Sequence, residues 1–208
     1  MRSYSNFSLR DLLDAFAATA PAPGGGSAAA LAGATAVSLL LMAAGIRASR
    51  SGAASSELAE STDRLRSLRP TIAAQIDRDA DAYTSVIAAL RMPVNDPETE
   101  VRQRTAYESA MRAATDAPLE TVRACRRALR EAPVVAAHST RGTRGDVAVA
   151  IELLRAAVRS AAITVEANLG SLRDLEYVGQ VRTELEQLEN DSGVDAELGL
   201  SRLPGPSR

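Results

Sequence analysis

Between Ser27 and Ile46 the chain runs for twenty residues without a charged side chain. As a helix this segment is about 30 Å long, enough to cross a bilayer or the middle of a small domain. Its composition separates the two. Ala is its commonest residue, with Gly33, Thr35, Ser38 and Gly45 among the apolar residues. Such a helix is too weakly hydrophobic to favour lipid, and it suits close packing by other helices on all sides. The expectation is a buried Ala-rich central helix and no membrane association.

The rest of the composition agrees. Aromatic residues are 3% of the 208, and Trp is absent. The apolar mass is Ala, Leu and Val, which favours packed helices over a β-sandwich. All 24 basic residues are Arg, set against 26 acids, for a net charge of −2. That balance lacks the basic excess of a nucleic-acid binder. One cysteine, Cys125, and one histidine, His138, exclude a disulfide framework and a His-rich metal site. Asp11 and Asp14 precede the apolar run, unlike a secretory signal, so a cytoplasmic protein is expected.

Helix signals follow one another along the chain. Ser8 and Asp11 open a first helix, ended by Pro21 and Pro23. Gly24, Gly25 and Gly26 form a loop, and Ser27 can cap the central helix. After a small-residue linker at 51–56, an amphipathic stretch covers 57–91, with Pro70 expected to kink or divide it. Asp96 and Pro97 start another helix, which Pro118 is expected to interrupt. Pro133–Ala137 reads as the start of a further short helix. Asp146 opens an apolar helix to Leu169, and Asp174 caps a last helix to about Asn190. The residues from 191 to 208, with Gly193, Gly199, Pro204, Gly205 and Pro206, read as a disordered tail. The fold expected is all-α, one elongated helical domain over residues 1–190. Two of its helices, 28–46 and 147–165, are apolar on more faces than one chain can cover, so a homodimer is expected.

Several residues could carry chemistry. The stretch PAPGGGS ahead of the central helix allows close backbone approach to a ligand, and the helix N-terminus attracts anionic or carbonyl oxygen. It equally suits a tight corner where only glycine fits. Its spacing matches neither nucleotide-binding glycine motif. Asp77, Asp79 and Asp81 stand at alternate positions of a helix, so Asp77 and Asp81 share a face and Asp79 points elsewhere. A solvated acidic face is the simpler reading. Asp146 is either an N-cap or a carboxylate aimed into a cleft. Asn168, in an apolar helix, needs a hydrogen-bond partner and is either a bridge or a ligand contact. Cys125 is either a packed thiol or an activated one. His138 and Ser139 form no arguable triad. The arginines at 123–130, with Arg141 and Arg144, are either solvated or hold an anionic substrate tail.

Together these segments resemble one family. PAPGGGSAAALAGA is similar to the signature of the formiminotransferase-cyclodeaminase C-terminal domain and its stand-alone relatives, the methenyltetrahydrofolate cyclohydrolases. IDRDADAYTSVIAALRMP, DAPLETVRAC and RGDVAVAIELLRAAVRSAAITVEANLGSLRD continue the resemblance in order, over about residues 8–190. It implies an elongated helical dimer with a folate cleft near the glycine turn. It implies one-carbon chemistry at a cationic carbon, either hydrolysis of a methenyl bridge or ring closure of a formimino group with loss of ammonia. Asp79 and Asp146 would be the catalytic carboxylates. Gly24, Gly25, Gly26 and Ser27 would contact the substrate, Asn168 would hydrogen-bond it or the opposing helix, and Arg144 would hold an anionic tail. No metal and no cofactor are implied. Gly45 and Thr164 stand where the family often has Asn, and the loop STRGTRGD departs from its usual pattern. Two other readings follow from those departures: the same scaffold acting on a different imine, iminium or amidine, or a non-catalytic helical dimer that binds a ligand.

Overall fold

The structure is a computed structural model that describes residues 3–51 and 55–205. Its elements are a 3-10 turn at Tyr4–Asn6 and six α-helices. These are α1 (Leu9–Ala17), α2 (Gly25–Ser51), α3 (Ser56–Leu90), α4 (Pro97–His138), α5 (Arg144–Leu169) and α6 (Leu175–Ser201). Among the described residues there is no strand. The starts obey local capping chemistry. The Ser8 hydroxyl accepts from the Asp11 N–H at α1, and Ser55 accepts from Leu58 N–H at α3. At α4, Asp96 and Thr99 form a reciprocal capping box with Pro97 in the first turn. Asp174 accepts from the Glu176 and Tyr177 N–H groups at α6. Residues 52–54 of the expected linker lie outside the described residues.

Helices α2, α4 and α5 pack mutually and enclose the core. Ala36, Val37 and Leu40 of α2 are fully buried there, with Leu129 of α4 and Leu154 of α5. Helix α3 lies against α2 and α4, while α6 lies against α4 and α5. With 42 residues, α4 is about 63 Å long, which makes the domain elongated. Helices α2, α3 and α4 cross closely at Gly33 of α2. A Cβ there would lie 2.5 Å from Cys125 Sγ of α4 and 3.1 Å from Ile72 of α3. Only glycine fits that crossing. Burial pushes the Cys125 thiol up to about 12, so it is a packed group and not an activated nucleophile.

None of the internal prolines divides its helix. Pro70 lies inside a continuous α3, and Pro118 and Pro133 lie inside a continuous α4. Pro133 therefore belongs to the end of a long helix and starts no new one. Asp146 is not the N-cap of α5. Thr143 holds that position and Asp146 falls in the first turn, where a carboxylate complements the helix dipole.

The expected disordered tail is also corrected, because α6 continues to Ser201. Ala196 is fully buried, and Gly199 packs against Ile151 and Ala132. Arg126 of α4 donates to Asp191 at 2.9 Å and lies 3.8 Å from Asp195. These contacts hold the segment where its Gly content alone argued for disorder. Residues 206–208 lie outside the described residues. Truncation after Asn190 is expected to lower the melting temperature by roughly 4–8 °C, from loss of about 2 kcal/mol of packing. A thermal melt of the two chains checks this, and an unchanged midpoint would restore the disordered tail.

Candidate active site

Helix α2 starts at Gly25, so the N–H groups of its first turn need acceptors from outside the helix. Gly24, just before it, has no side chain to offer. The acceptor comes from α3. The Ser27 N–H donates to Asp79 Oδ2 at 2.7 Å, and Ser27 Oγ lies 2.9 Å from the same oxygen. Gly26 is what permits this approach. A Cβ there would overlap the Asp79 carboxylate, with its carboxyl carbon 2.5 Å away. The third glycine and the aspartate are thus two halves of one contact.

The Ser27 hydroxyl is fully buried and also lies 2.8 Å from the Ile76 carbonyl. It has one hydrogen, and Ile76 O can only accept. When Asp79 is ionised, the hydroxyl donates to it. When Asp79 is protonated, its O–H can donate to Ser27 Oγ while the hydroxyl turns to Ile76. Both charge states have a hydrogen-bonded arrangement, as a proton-carrying group requires. Burial raises the Asp79 pKa above the ordinary value, opposed by the Ser27 hydroxyl and N–H.

The neighbouring aspartates divide as helical geometry demands. Asp77 accepts from the Ser3 and Ser5 hydroxyls, each at 2.7 Å, and from the Tyr4 N–H, which ties the N-terminal turn to α3. Burial works to raise the Asp77 pKa, but its hydrogen bonds outweigh that and hold it below the usual range. Tyr4 Oη donates to Ala22 O at 3.3 Å, beside the cis Ala22–Pro23 peptide. Asp81 is exposed.

Asp79 opens into a cavity of about 230 Å³ lined also by Gly24, Gly25, Gly26, Tyr83, Thr164 and Asn168. A shallow groove of about 380 Å³ between α2 and α5 shares Gly25 and Thr164 with it. Asn168 has a second duty. Its Nδ2 donates to Ala114 O of α4 at 2.7 Å. In a regular helix that carbonyl would accept from residue 118, but Pro118 has no N–H. Asn168 thus satisfies a carbonyl that the proline leaves open, which also explains how α4 continues past Pro118. The amide orientation follows, because a carbonyl only accepts. Oδ1 is left as an acceptor at the cavity wall.

The structure therefore brings together Asp79, Gly24, Gly25, Gly26, Ser27 and Asn168. Asp146 and Arg144 are elsewhere in the same chain. Asp146 precedes Asn168 by twenty-two residues of α5, about 33 Å along the helix. Arg144 is half-buried, and its Nε–H is buried without an acceptor among the described residues. Arg123, Arg126 and Arg127 of α4 are paired with acids. Arg123 makes two bonds of 2.7 Å to Glu184, and Arg127 donates to Glu120 at 2.7 Å. Sequence reading missed Tyr83 as a wall residue, although its i+4 spacing from Asp79 on α3 places it on the same face.

Asn168→Ala is expected to cost about 1–3 kcal/mol of stability, since it strands the buried Ala114 carbonyl. In a Pro118→Ala background residue 118 regains its N–H, and the same substitution should cost far less. Denaturant unfolding of the four proteins measures this coupling. Additive costs would show that Asn168 acts otherwise.

Residues 8–187 match the family model described as formiminotransferase-cyclodeaminase. The chain is 30% identical over 191 residues to a methenyltetrahydrofolate cyclohydrolase of Methylorubrum extorquens, covering 91% of this chain and 92% of that protein. It is 31% identical over 131 residues to the formimidoyltransferase-cyclodeaminase of Sus scrofa, covering 62% of this chain and 24% of that longer protein. Its fold matches the crystal structure of a formiminotetrahydrofolate cyclodeaminase from Thermotoga maritima, with a TM-score of 0.83 at 20% identity, covering 95% and 96% of the two chains.

Proposed function

Since the chain belongs to the formiminotransferase-cyclodeaminase family, we propose that its Asp79 cavity hydrolyses 5,10-methenyltetrahydrofolate. The observation that carries this is one half-buried carboxylate, hydrogen-bonded to Ser27, in a cavity lined otherwise by neutral groups. A methenyl bridge carries a delocalised positive charge between two nitrogens. An ionised Asp79 in a low-dielectric wall attracts that charge strongly. The nearly full-length match to a cyclohydrolase favours water as the second reactant.

The steps balance with Asp79 as the only proton carrier. Water oxygen bonds to the cationic carbon, and one water proton passes to the Asp79 carboxylate. The adduct is neutral. Asp79 then returns its proton to one bridging nitrogen as the bond from carbon to that nitrogen breaks. The carbon keeps its oxygen as a formyl group, and the hydroxyl proton leaves to solvent. The net change is one water consumed and one proton released. Ser27 serves both protonation states by turning its hydroxyl between Asp79 and Ile76. Asn168 Oδ1 is placed to accept from a substrate N–H. This chemistry calls for neither a metal nor a redox cofactor, and the reading places the enzyme in the cytoplasm.

Ring closure of a formimino group with loss of ammonia is the second reading, favoured by the relatedness to formimidoyltransferase-cyclodeaminases. There Asp79 would take the proton of the attacking neighbouring nitrogen and return it to the departing ammonia.

Decay of methenyl absorbance separates enzyme from blank. Asp79→Asn is expected to lose about 10²–10⁴ in kcat with the fold intact by circular dichroism. Activity should need the ionised carboxylate, so kcat/KM should fall with decreasing pH through the raised Asp79 pKa. An acid limb at or below the ordinary Asp range, or full activity in Asp79→Asn, contradicts the assignment.

A further inference from the structure

Helix α1 barely engages the rest of the fold. Of its residues only Leu12 is buried, while Leu9 and Leu13 are exposed. The connection that follows, residues 18–24, has no regular structure. Yet Pro21, Ala22 and Gly24 form one wall of the Asp79 cavity. That wall cannot take its position from α1, so another element must fix it.

The turn ahead of α1 does so. Tyr4 Oη donates to Ala22 O, and among the described residues this is the one hydrogen bond that reaches residues 19–23 from outside. Tyr4 is itself held. Its ring packs at a tilt against Phe7, with centroids 5.2 Å apart. The Asp77 carboxylate of α3 takes four donors from the turn: the Ser3 and Ser5 hydroxyls on Oδ2, and the Tyr4 and Ser5 N–H groups on Oδ1. A carboxylate offers about four acceptor positions, so this one is filled by the turn. Bonds to an ionised acceptor are the stronger kind.

Asp77 and Asp79 are two residues apart on α3, about 200° apart around its axis. Asp79 holds the first turn of α2 directly, through Ser27. Asp77 holds the turn that holds Ala22. Helix α3 thus grips the chain on both sides of the three glycines, and the wall and the reacting carboxylate share one support.

We propose that Asp77 is a positioning residue for the reaction: through the N-terminal turn and the Tyr4 hydroxyl it fixes the Ala22 wall relative to Asp79, and so sets how tightly the cavity closes on its substrate. This rests on the reading of the Asp79 cavity as the reacting site. Asp77 does not line the cavity, and Asp79 keeps its Ser27 partner whether or not the wall is held. The effect therefore belongs to binding, and KM carries it while kcat does not.

Kinetics of variants test the path, with fold checked by circular dichroism. Tyr4→Phe keeps the ring and removes only the hydroxyl, whose bond is long at 3.3 Å. It should raise KM roughly two- to five-fold, with kcat within about two-fold of wild type. Asp77→Ala frees ring and hydroxyl together and should raise KM roughly ten-fold. Asp77→Asn keeps an acceptor for the N–H groups, and its amide can donate to the serine oxygens, so it should restore most of the wild-type KM. Adding Tyr4→Phe to Asp77→Ala should raise KM no further, because both act along one path. Effects on KM that multiply, or a lowered Tm with KM unchanged, would reduce Asp77 to a structural tie and overturn the proposal. Should Asp77→Ala fail to fold, an unchanged KM in Tyr4→Phe overturns it equally.

NMR spectra without substrate separate this from the folate reading. The amide resonances of Gly24, Gly25 and Gly26 should move in Tyr4→Phe and in Asp77→Ala alike. Resonances that stay in place overturn the proposal whatever the substrate is. Resonances that move, in a protein that leaves methenyltetrahydrofolate unchanged, would sink the folate reading and leave the tie between Asp77 and the cavity wall standing.

Discussion

One contact organises this molecule: the Asp79 carboxylate seated on the first turn of α2. It supplies an acceptor for the Ser27 N–H, which the helix cannot satisfy itself, and it does so from a different helix. The contact demands glycine at position 26, since any side chain there would occupy the carboxylate's place. It also keeps a half-buried charge hydrogen-bonded, which offsets part of the cost of its burial. A carboxylate with a hydrogen-bonded arrangement in each protonation state is what proton transfer requires. The same geometry therefore serves folding and the proposed chemistry.

The second organising constraint is how helices with small residues share space. Gly33 lets α2, α3, α4 and α5 converge at one crossing, and Pro118 interrupts the hydrogen-bond ladder of α4 where Asn168 can repair it. That repair fixes the end of α5 against α4 and orients the amide that faces the cavity. The cavity wall is thus assembled from residues that each have a structural duty. Substitutions in it should not be read as affecting chemistry alone.

Much of this was legible in the sequence, for identifiable reasons. The uncharged run from Ser27 to Ile46 announced a central helix, and Ser8, Asp96 and Asp174 announced helix starts, because caps are local chemistry. The glycine turn and Asp79 were visible as candidates only separately. Their pairing joins residues 52 apart in the chain, and no local pattern encodes it. The resemblance to a family, not periodicity, singled out Asp79 from its two neighbours. The prolines misled for the same reason. Whether Pro118 ends a helix depends on whether a distant amide reaches the carbonyl it strands. The last turns of α6 misled because their stability comes from Arg126, Ile151 and Ala132 rather than from their own propensity. Tyr83 has no local signal of its own, and only the opening of the cavity gives it a role.

The most direct measurement is a ¹³C NMR titration of the aspartate carboxyls, with Asp79 assigned from the Asp79→Asn spectrum. Asp79 is expected to titrate above the ordinary Asp range, because burial raises it more than Ser27 lowers it. In Ser27→Ala it should titrate higher still, as the hydroxyl that favours the charged form is gone. A titration at or below the ordinary value, unmoved by Ser27→Ala, would mean a solvated carboxylate and would contradict the account.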